Sequence, residues 1–508
     1  MKNFRVLMLY PNGTLMNPPP ISIGIFTALL KQNGFAVDLF DSTLYPEEGT
    51  KGSDEAKQEN LQVKPFDYGS RGVKLKTTWM QDDIIKKVEE FRPDLIIISI
   101  LECTYANARL MLKTIEHYDI PVLAGGVFPT FAPEIIFSDN KRVKMICMGE
   151  GEDAILEVCK RLAIGQDCSN IPNLCFKKNG KLVKNPYGPL VDINQLPIPD
   201  YSLFDQERFF RPMGGVVYKT IPIETNRGCP YKCTFCNSPS TLKIYKDDSQ
   251  KFFRKKTIHT IQKELEHLIK QWGAEYVYFT SDNFIMGSKE ENNEFYDMYK
   301  HIRLPFWMQS RPETIGEEYI QKLKEVGCHR ASMGLEHGNE EFRIKVLKKT
   351  FDESVMIRAT KIITDAKIPL TVNNMIGFPD ETRELIFDTI ELNRKLSAES
   401  VNCSVFAPFH GTPLQKVCIE KGLISEDFVF GSINVDAPLD MPQLSREAIQ
   451  GLRRTFVLYV RLPKDYWPEI RRAEKSDEEG NRLFHKLRKV CLEQYMNVNQ
   501  ADDTKIEN

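Results

Sequence analysis

From residue 1 to about 165, short apolar runs alternate with stretches of helical spacing. The runs at Arg5–Tyr10, 36–40, 95–100, 122–124 and 143–148 predict five strands. Between the first two, Ile21–Gln32 carries one apolar helical face and stops at Asn33-Gly34, a pair suited to a left-handed C-cap. The unbroken run Leu95-Ile-Ile-Ile-Ser-Ile100 is what a strand covered on both faces looks like. Strands alternating with helices predict a flavodoxin-like, doubly wound parallel sheet, which takes ligands beyond the carboxyl ends of its strands. The polar stretch 44–78 breaks the alternation and predicts an insertion or lid.

A connector follows at 166–215, with Asn179-Gly180 between two apolar pairs as a hairpin turn. From 216 to about 420 a strand-then-helix unit recurs six times, with strands expected at 220–225, 275–280, 305–309, 331–335, 370–376 and 401–407. That repetition predicts a partial (βα)6 barrel of the TIM type, whose chemistry sits at strand C-termini. Residues 421–508 form a helical C-terminal region, with helices at 445–460 and 482–495 and a polar, frayed end at 497–508. The division is therefore 1–165, 166–215, 216–420 and 421–508.

Composition narrows the function classes. Among 508 residues, 68 basic side chains face 70 acidic ones, so no global field favours nucleic acid. Twelve cysteines are too sparse for a disulfide scaffold. No apolar run approaches the ~20 residues of a membrane span, and the first ten residues read as a strand, not a secretion signal. A reducing, cytoplasmic setting and a small-molecule substrate are the expectation.

Cysteine usage is concentrated in one place. Cys229, Cys233 and Cys236 stand at C-x3-C-x2-C spacing in Asn226-Arg-Gly-Cys-Pro-Tyr-Lys-Cys-Thr-Phe-Cys-Asn237, directly after the first barrel strand. Thiolates select zinc, copper(I) or iron–sulfur centres. A structural zinc site wants four ligands, and no second Cys/His pair supplies the fourth. The spacing, with Phe235 before the last cysteine, resembles the signature of the radical S-adenosylmethionine (SAM) enzymes. So does the ordered set Thr280-Ser-Asp-Asn-Phe284, Gln309-Ser-Arg311, Gly334-Leu-Glu-His-Gly338, Ile376-Gly-Phe-Pro-Asp-Glu-Thr382 and Pro408-Phe-His-Gly-Thr-Pro413 at later strand ends. The resemblance implies that Cys229, Cys233 and Cys236 hold a [4Fe–4S] cluster whose open iron chelates SAM. It places Phe235, Asn237, Ile376 and Gly377 at the adenine, Asp282 and Asn283 at the SAM amino group, and Glu336 at the ribose hydroxyls. Arg311 pairs with the methionyl carboxylate in that scheme. An ordinary ion pair or helix cap is the competing reading for Arg311 and Asp282.

The N-terminal loops resemble the cobalamin-binding domain of cobalamin-dependent radical SAM enzymes. They comprise Pro11-Asn-Gly with Pro18-Pro-Pro20, then Ala124-Gly-Gly-Val-Phe-Pro-Thr130, then Gly149-Glu-Gly-Glu152. The resemblance implies cobalamin contacts from Gly125, Gly126, Val127, Phe128 and Thr130, and from Gly149, Glu150, Gly151 and Glu152. The D-x-H-x-x-G motif of classical cobalamin mutases is missing, so no histidine ligand to cobalt is expected; 101–105 is the candidate segment below the metal. The family chemistry implied is reductive SAM cleavage to a 5′-deoxyadenosyl radical, with methylation of an unactivated carbon, or phosphorus, through methylcobalamin. An electron donor such as flavodoxin or ferredoxin is implied with it. Oxidative cyclisation or rearrangement on the same scaffold, and a non-catalytic cobalamin or redox sensor, are the alternatives. Methylthiolation is disfavoured because no cysteine precedes Cys103 and the C-terminal end reads as helix.

Overall fold

Side chains alternate across β1 (Arg5–Tyr10): Val6 and Met8 enter one apolar core, while Leu7 and Leu9 enter another. The same alternation in β3 (Leu95–Ser99) sends Ile97 to the first core and Ile96 and Ile98 to the second. A strand buried on both faces needs a helix layer on each. Helices Ile21–Gln32 and Glu152–Ala163 cover one face, and Met80–Phe91 and Tyr105–Thr114 the other. In this computed structural model, which describes residues 4–46, 52–245, 251–285, 287–431 and 437–496, β2 is Ala36–Asp41, β4 Val122–Gly125 and β5 Val143–Cys147. The frayed end expected at 497–508 lies outside the described residues. The order β2-β1-β3-β4-β5 is parallel throughout, as the doubly wound expectation requires.

The sheet does not stop there. A hairpin from the connector, β6 (Leu174–Lys178) and β7 (Lys181–Lys184), adds two antiparallel strands beyond β5. Its turn is the Asn179-Gly180 pair, both at positive φ (51° and 77°), as a type I′ turn demands.

The second sheet has the order β16-β15-β14-β13-β12-β9-β8. Its strands are β8 (Phe210–Met213), β9 (Val216–Ile223), β12 (Tyr276–Phe279), β13 (Phe306–Ser310), β14 (Cys328–Glu336), β15 (Leu370–Ile376) and β16 (Ser400–Val405). Six are parallel and curl into an open half-barrel, with β8 antiparallel at the β9 edge. Between β9 and β12 a two-stranded ribbon, β10 (Asn226–Arg227) and β11 (Arg254–Lys255), frames the cysteine loop.

The 44–78 insertion goes to the barrel. Its helix Ser53–Glu59 leads to Gln62, whose side-chain amide donates to Cys403 O (3.0 Å). Lys64 reaches Glu399 (3.0 Å) and Arg71 reaches Glu275 (2.7 Å). Glu399 and Glu275 stand just before β16 and β12, so the insertion closes the amino-terminal end of the half-barrel. The C-terminal helices Arg446–Arg461, Trp467–Ala473 and Glu478–Tyr495 flank the β16 edge. Arg394 caps the end of the first by donating to Tyr459 O, Val460 O and Leu462 O.

Candidate active site between the two sheets

The cysteine loop leaves the top of β9 through Gly228, at φ 84°, where a Cβ would lie 2.3 Å from Phe252 O. Only glycine fits that turn. The loop is pinned from outside itself: Thr234 N donates to Leu347 O, Thr234 Oγ1 to Val346 O, and Leu414 N to Thr234 O. Cys233 is buried, and Cys229 and Cys236 are half-buried. Burial pushes the Cys236 thiol up to about 12 and raises Cys229 as well. A soft metal centre reverses that shift, because a ligating sulfur is deprotonated. Among the described residues, no three His, Cys, Asp or Glu side chains converge on one ion position. A single zinc would need its thiolates gathered at about 2.3 Å from one point. The three cysteines share one pinned loop and act on one another across it, an arrangement that fits the thiolate ligands of one iron–sulfur cluster.

Arg311, just past β13, lies over this loop. Its Nη1 is 3.5 Å from Cys233 Sγ, its guanidinium sits 3.6 Å from the Tyr231 ring centre, and its Nη2 pairs with Glu313 at 2.6 Å. The side chain expected to meet a methionyl carboxylate is thus engaged by Glu313, although its Nε stays buried without a partner. Asn283 is fixed from two sides, since Arg311 N donates to its Oδ1 and Asn226 Nδ2 donates to its carbonyl. That leaves Asn283 Nδ2 as a buried donor with no partner, the kind of orphan a ligand acceptor satisfies. Asp282 is exposed beside it, its carboxyl pushed up by surrounding protein and then by Glu224.

Two motifs turn out to be one lock. His337 Nε2 lies 3.0 Å from Glu381 Oε1, both fully buried, and Glu381 Oε2 accepts from Gly377 N (2.5 Å) and Phe378 N (3.0 Å). Asn339 N donates to His337 Nδ1, which fixes the proton on Nε2. Next to them Glu336 has φ 67° at a register break in the β14–β15 pairing. Its Oε1 takes a 3.0 Å bond from buried Lys349 Nζ. Ile376 is fully buried in the core, and Gly377 packs under Ile449, which leaves the backbone of this turn as what it can offer a ligand. Phe235 is half-buried against Phe378, and Asn237 Nδ2 donates to His410 O.

The carboxyl ends of the first sheet face this loop. Gly126, at φ 104°, runs within 2.6 Å of Ile100 O for any added Cβ. Val127 and Leu101 are exposed apolar side chains at the ends of β4 and β3. Gly125 and Gly151 leave backbone partly open, and a hollow of about 720 Å3 lined by Ser42, Tyr45, Trp79, Met80, Asn107 and Leu110 adjoins the β2 end. These features suit a broad, flat ligand. Four of the residues expected at the cobalamin have protein partners of their own. Phe128 is buried between Tyr105 and His410, and Thr130 links Gly126 O to Gly149 N. Glu150 is gripped by Arg254 Nη1 and Nη2, and Glu152 Oε1 lies 2.7 Å from Arg227 Nη1. Burial alone would raise Glu150, but Arg254 and Arg227 hold its carboxyl below the ordinary range. Gly149 is covered by the Tyr245 hydroxyl, which also accepts from Glu150 N.

Sequence reasoning missed these tethers. Arg227, two residues before Cys229, also pairs with Glu224 at 3.0 Å. On the other flank buried Glu102, in the 101–105 segment, accepts from His410 N (2.8 Å) and Phe430 N (3.1 Å). An arginine abutting the cysteine motif was the available signal for the first; nothing local marks the second.

A parallel sheet whose carboxyl ends face a three-thiol loop on a half-barrel defines a class in which one cofactor domain is laid over another. Family models match both parts: the B12 binding domain over residues 15–159 and the radical SAM superfamily over 223–392. The chain is a radical SAM enzyme with a cobalamin-binding domain, and its cofactors are a [4Fe–4S] cluster, SAM and cobalamin. It is 26% identical to an uncharacterized methyltransferase of Pyrococcus horikoshii over 75% of this chain and 82% of that one. It is 22% identical to an anaerobic magnesium-protoporphyrin IX monomethyl ester cyclase of Rubrivivax gelatinosus over 74% and 68%. The fold resembles the radical SAM methyltransferase TsrM from Kitasatospora setae, solved with cobalamin and a [4Fe–4S] cluster, with TM-score 0.61 and 19% identity over 83% and 75% of the two chains. No described helix is long and apolar enough to cross a membrane.

Proposed function

We propose that this enzyme methylates a carbon or phosphorus centre of a small molecule, with Cys229, Cys233 and Cys236 holding the cluster. The observation that carries the reading is the facing of the two sites: Arg227 and His410 tie the strand ends of the cobalamin domain to the residues on either side of the cysteine motif. When bound, the cluster supplies the electron that cleaves SAM to a 5′-deoxyadenosyl radical, and cobalamin carries the methyl group. The chain's own contribution is alignment and exclusion of water. Asn283 Nδ2 donates to the SAM methionyl group, Glu336 accepts from the ribose, and the His337–Glu381 lock holds the Gly377 backbone beside them. Backbone at Gly125, Gly126 and Gly151, with Val127 and Leu101, cradles the corrin. An external one-electron donor such as flavodoxin or ferredoxin completes the system.

Anaerobic reconstitution with iron, sulfide and hydroxocobalamin, then a strong reductant and S-methyl-labelled SAM, tests this. The reading expects 5′-deoxyadenosine, S-adenosylhomocysteine and label on the corrinoid. Deoxyadenosine without the other two would favour the cyclase-like second reading, which the similarity to the ester cyclase supports. Lys349→Met should raise the KM for SAM about tenfold or more, because Glu336 loses the cation that orients it. Steady-state deoxyadenosine formation reads this out; an unchanged KM removes Glu336 from the SAM site.

A further inference from the structure

Arg311 is a buried cation whose backbone is fixed from both sides. Its N–H donates to Asn283 Oδ1 (3.2 Å), and its carbonyl accepts from Thr314 N (3.1 Å) and Thr314 Oγ1 (2.8 Å). The residue is 8% exposed, and its guanidinium lies against the ring of Tyr231, within the cysteine loop itself. A guanidinium keeps its charge at any working pH, and burying it uncompensated is costly. Glu313 supplies one negative charge at 2.6 Å. The other polar neighbour is a sulfur, because Nη1 donates to Cys233 Sγ at 3.5 Å.

The sulfurs of the trio differ in their donors. Cys236 Sγ accepts from a neutral backbone amide, Ser238 N (3.4 Å), whereas Cys233 Sγ faces a cation. Once Cys233 ligates iron its sulfur is a thiolate, and an electron added to the centre makes the site one charge more negative. Hydrogen bonds to the ligating sulfurs and the net charge around them set the reduction potential of iron–sulfur centres. A fixed N–H with positive charge behind it therefore favours the reduced form. Glu313 opposes that effect through the same guanidinium. The two side chains thus pull the potential in opposite directions, which no packing role requires.

We propose that Arg311 is a positioning residue acting through the Cys233 sulfur: it raises the reduction potential of the cluster so that a flavodoxin-class donor can pass it one electron, and Glu313 sets how far. This reassigns the side chain that the family resemblance directs at the methionyl carboxylate. It rests on Cys229, Cys233 and Cys236 holding the cluster. The test is a redox titration of the cluster- and cobalamin-loaded enzyme without SAM, followed by low-temperature electron paramagnetic resonance of the reduced cluster. Arg311→Met should weaken the reduction equilibrium about tenfold or more, a shift of about 59 mV to more negative potential for one electron. Glu313→Gln, which keeps the arginine, should shift it the other way, and the double variant should fall between Arg311→Met and wild type. With SAM added, Arg311→Met should lower kcat for deoxyadenosine formation far more with reduced flavodoxin than with titanium(III) citrate. Its KM for SAM should stay within about twofold of wild type. Potentials of both single variants equal to wild type would overturn the proposal. So would a raised KM for SAM at unchanged potential, which returns Arg311 to the carboxylate. A wild-type enzyme that assembles no cluster, or a Cys233→Ala variant that keeps one unchanged, would instead refute the cysteine assignment on which the proposal stands.

Discussion

Cys233→Ala is expected to lower 5′-deoxyadenosine formation by more than about a hundredfold, since removing an outer partner of a metal ligand already costs about 10–100-fold and this removes the ligand itself. Cys233 is the buried member of the trio, with Arg311 Nη1 at 3.5 Å from its sulfur. The Thr234 bonds that hold the loop to Val346, Leu347 and Leu414 do not involve the thiol. The chain should therefore fold and bind cobalamin while losing the visible absorbance of the cluster. Iron content, absorbance and deoxyadenosine measured on one preparation decide it. A variant retaining full cleavage activity would remove the three-cysteine assignment and with it the proposed chemistry. Cys418→Ala, deep in the core and remote in sequence, is the matched control for simple loss of a thiol.

How far the chain could be read follows the range of the interactions involved. β3 was legible because both its faces are buried, which leaves an unbroken apolar run. The β6–β7 hairpin was legible as a hairpin, yet its pairing with β5 depends on only two residue pairs, Ile146 with Cys175 and Cys147 with Leu174, which no local pattern encodes. In the site, the cysteines are contiguous and their spacing alone marks them. Glu150 and Glu152 were expected at the cobalamin because their loop resembles that of a cobalamin-binding domain, and their ion pairs were not foreseen. Their partners Arg254 and Arg227 lie 104 and 75 residues away, and no periodicity joins such pairs. Ile376 is a different case, one whose placement its own strand encodes. Its strand alternates buried and half-buried residues from Leu370 onward, which puts Leu370, Val372, Asn374 and Ile376 on one face. Period two puts the Ile376 side chain on the core face and Asn373 on the opposite one.

That long-range arginine carries the second large effect. Arg227→Met should cut transfer of the SAM methyl group to substrate by about a hundredfold, the scale on which a displacement of about 1 Å disturbs an aligned reaction. Deoxyadenosine formation should fall far less, so the ratio of deoxyadenosine to methylated product rises. Arg227 joins Glu224 at the end of β9 to Glu152 on the cobalamin side, and its 3.6 Å approach to Glu150 reinforces the grip of Arg254. Its removal leaves Glu152 and Glu224 without that cation, and breaking a buried ion pair costs about 3–5 kcal/mol. Lower stability alone would depress both products together. Arg227→Met combined with Glu152→Gln removes the more buried of the two stranded charges, so it should recover much of the thermal stability without recovering coupling. Arg227→Lys should fail as well, because one ammonium cannot hold Glu224 through two nitrogens and still reach Glu152. If the double variant regains both stability and methyl transfer, Arg227 is only a structural pair; if it regains stability alone, the arginine sets the spacing between cobalamin and cluster.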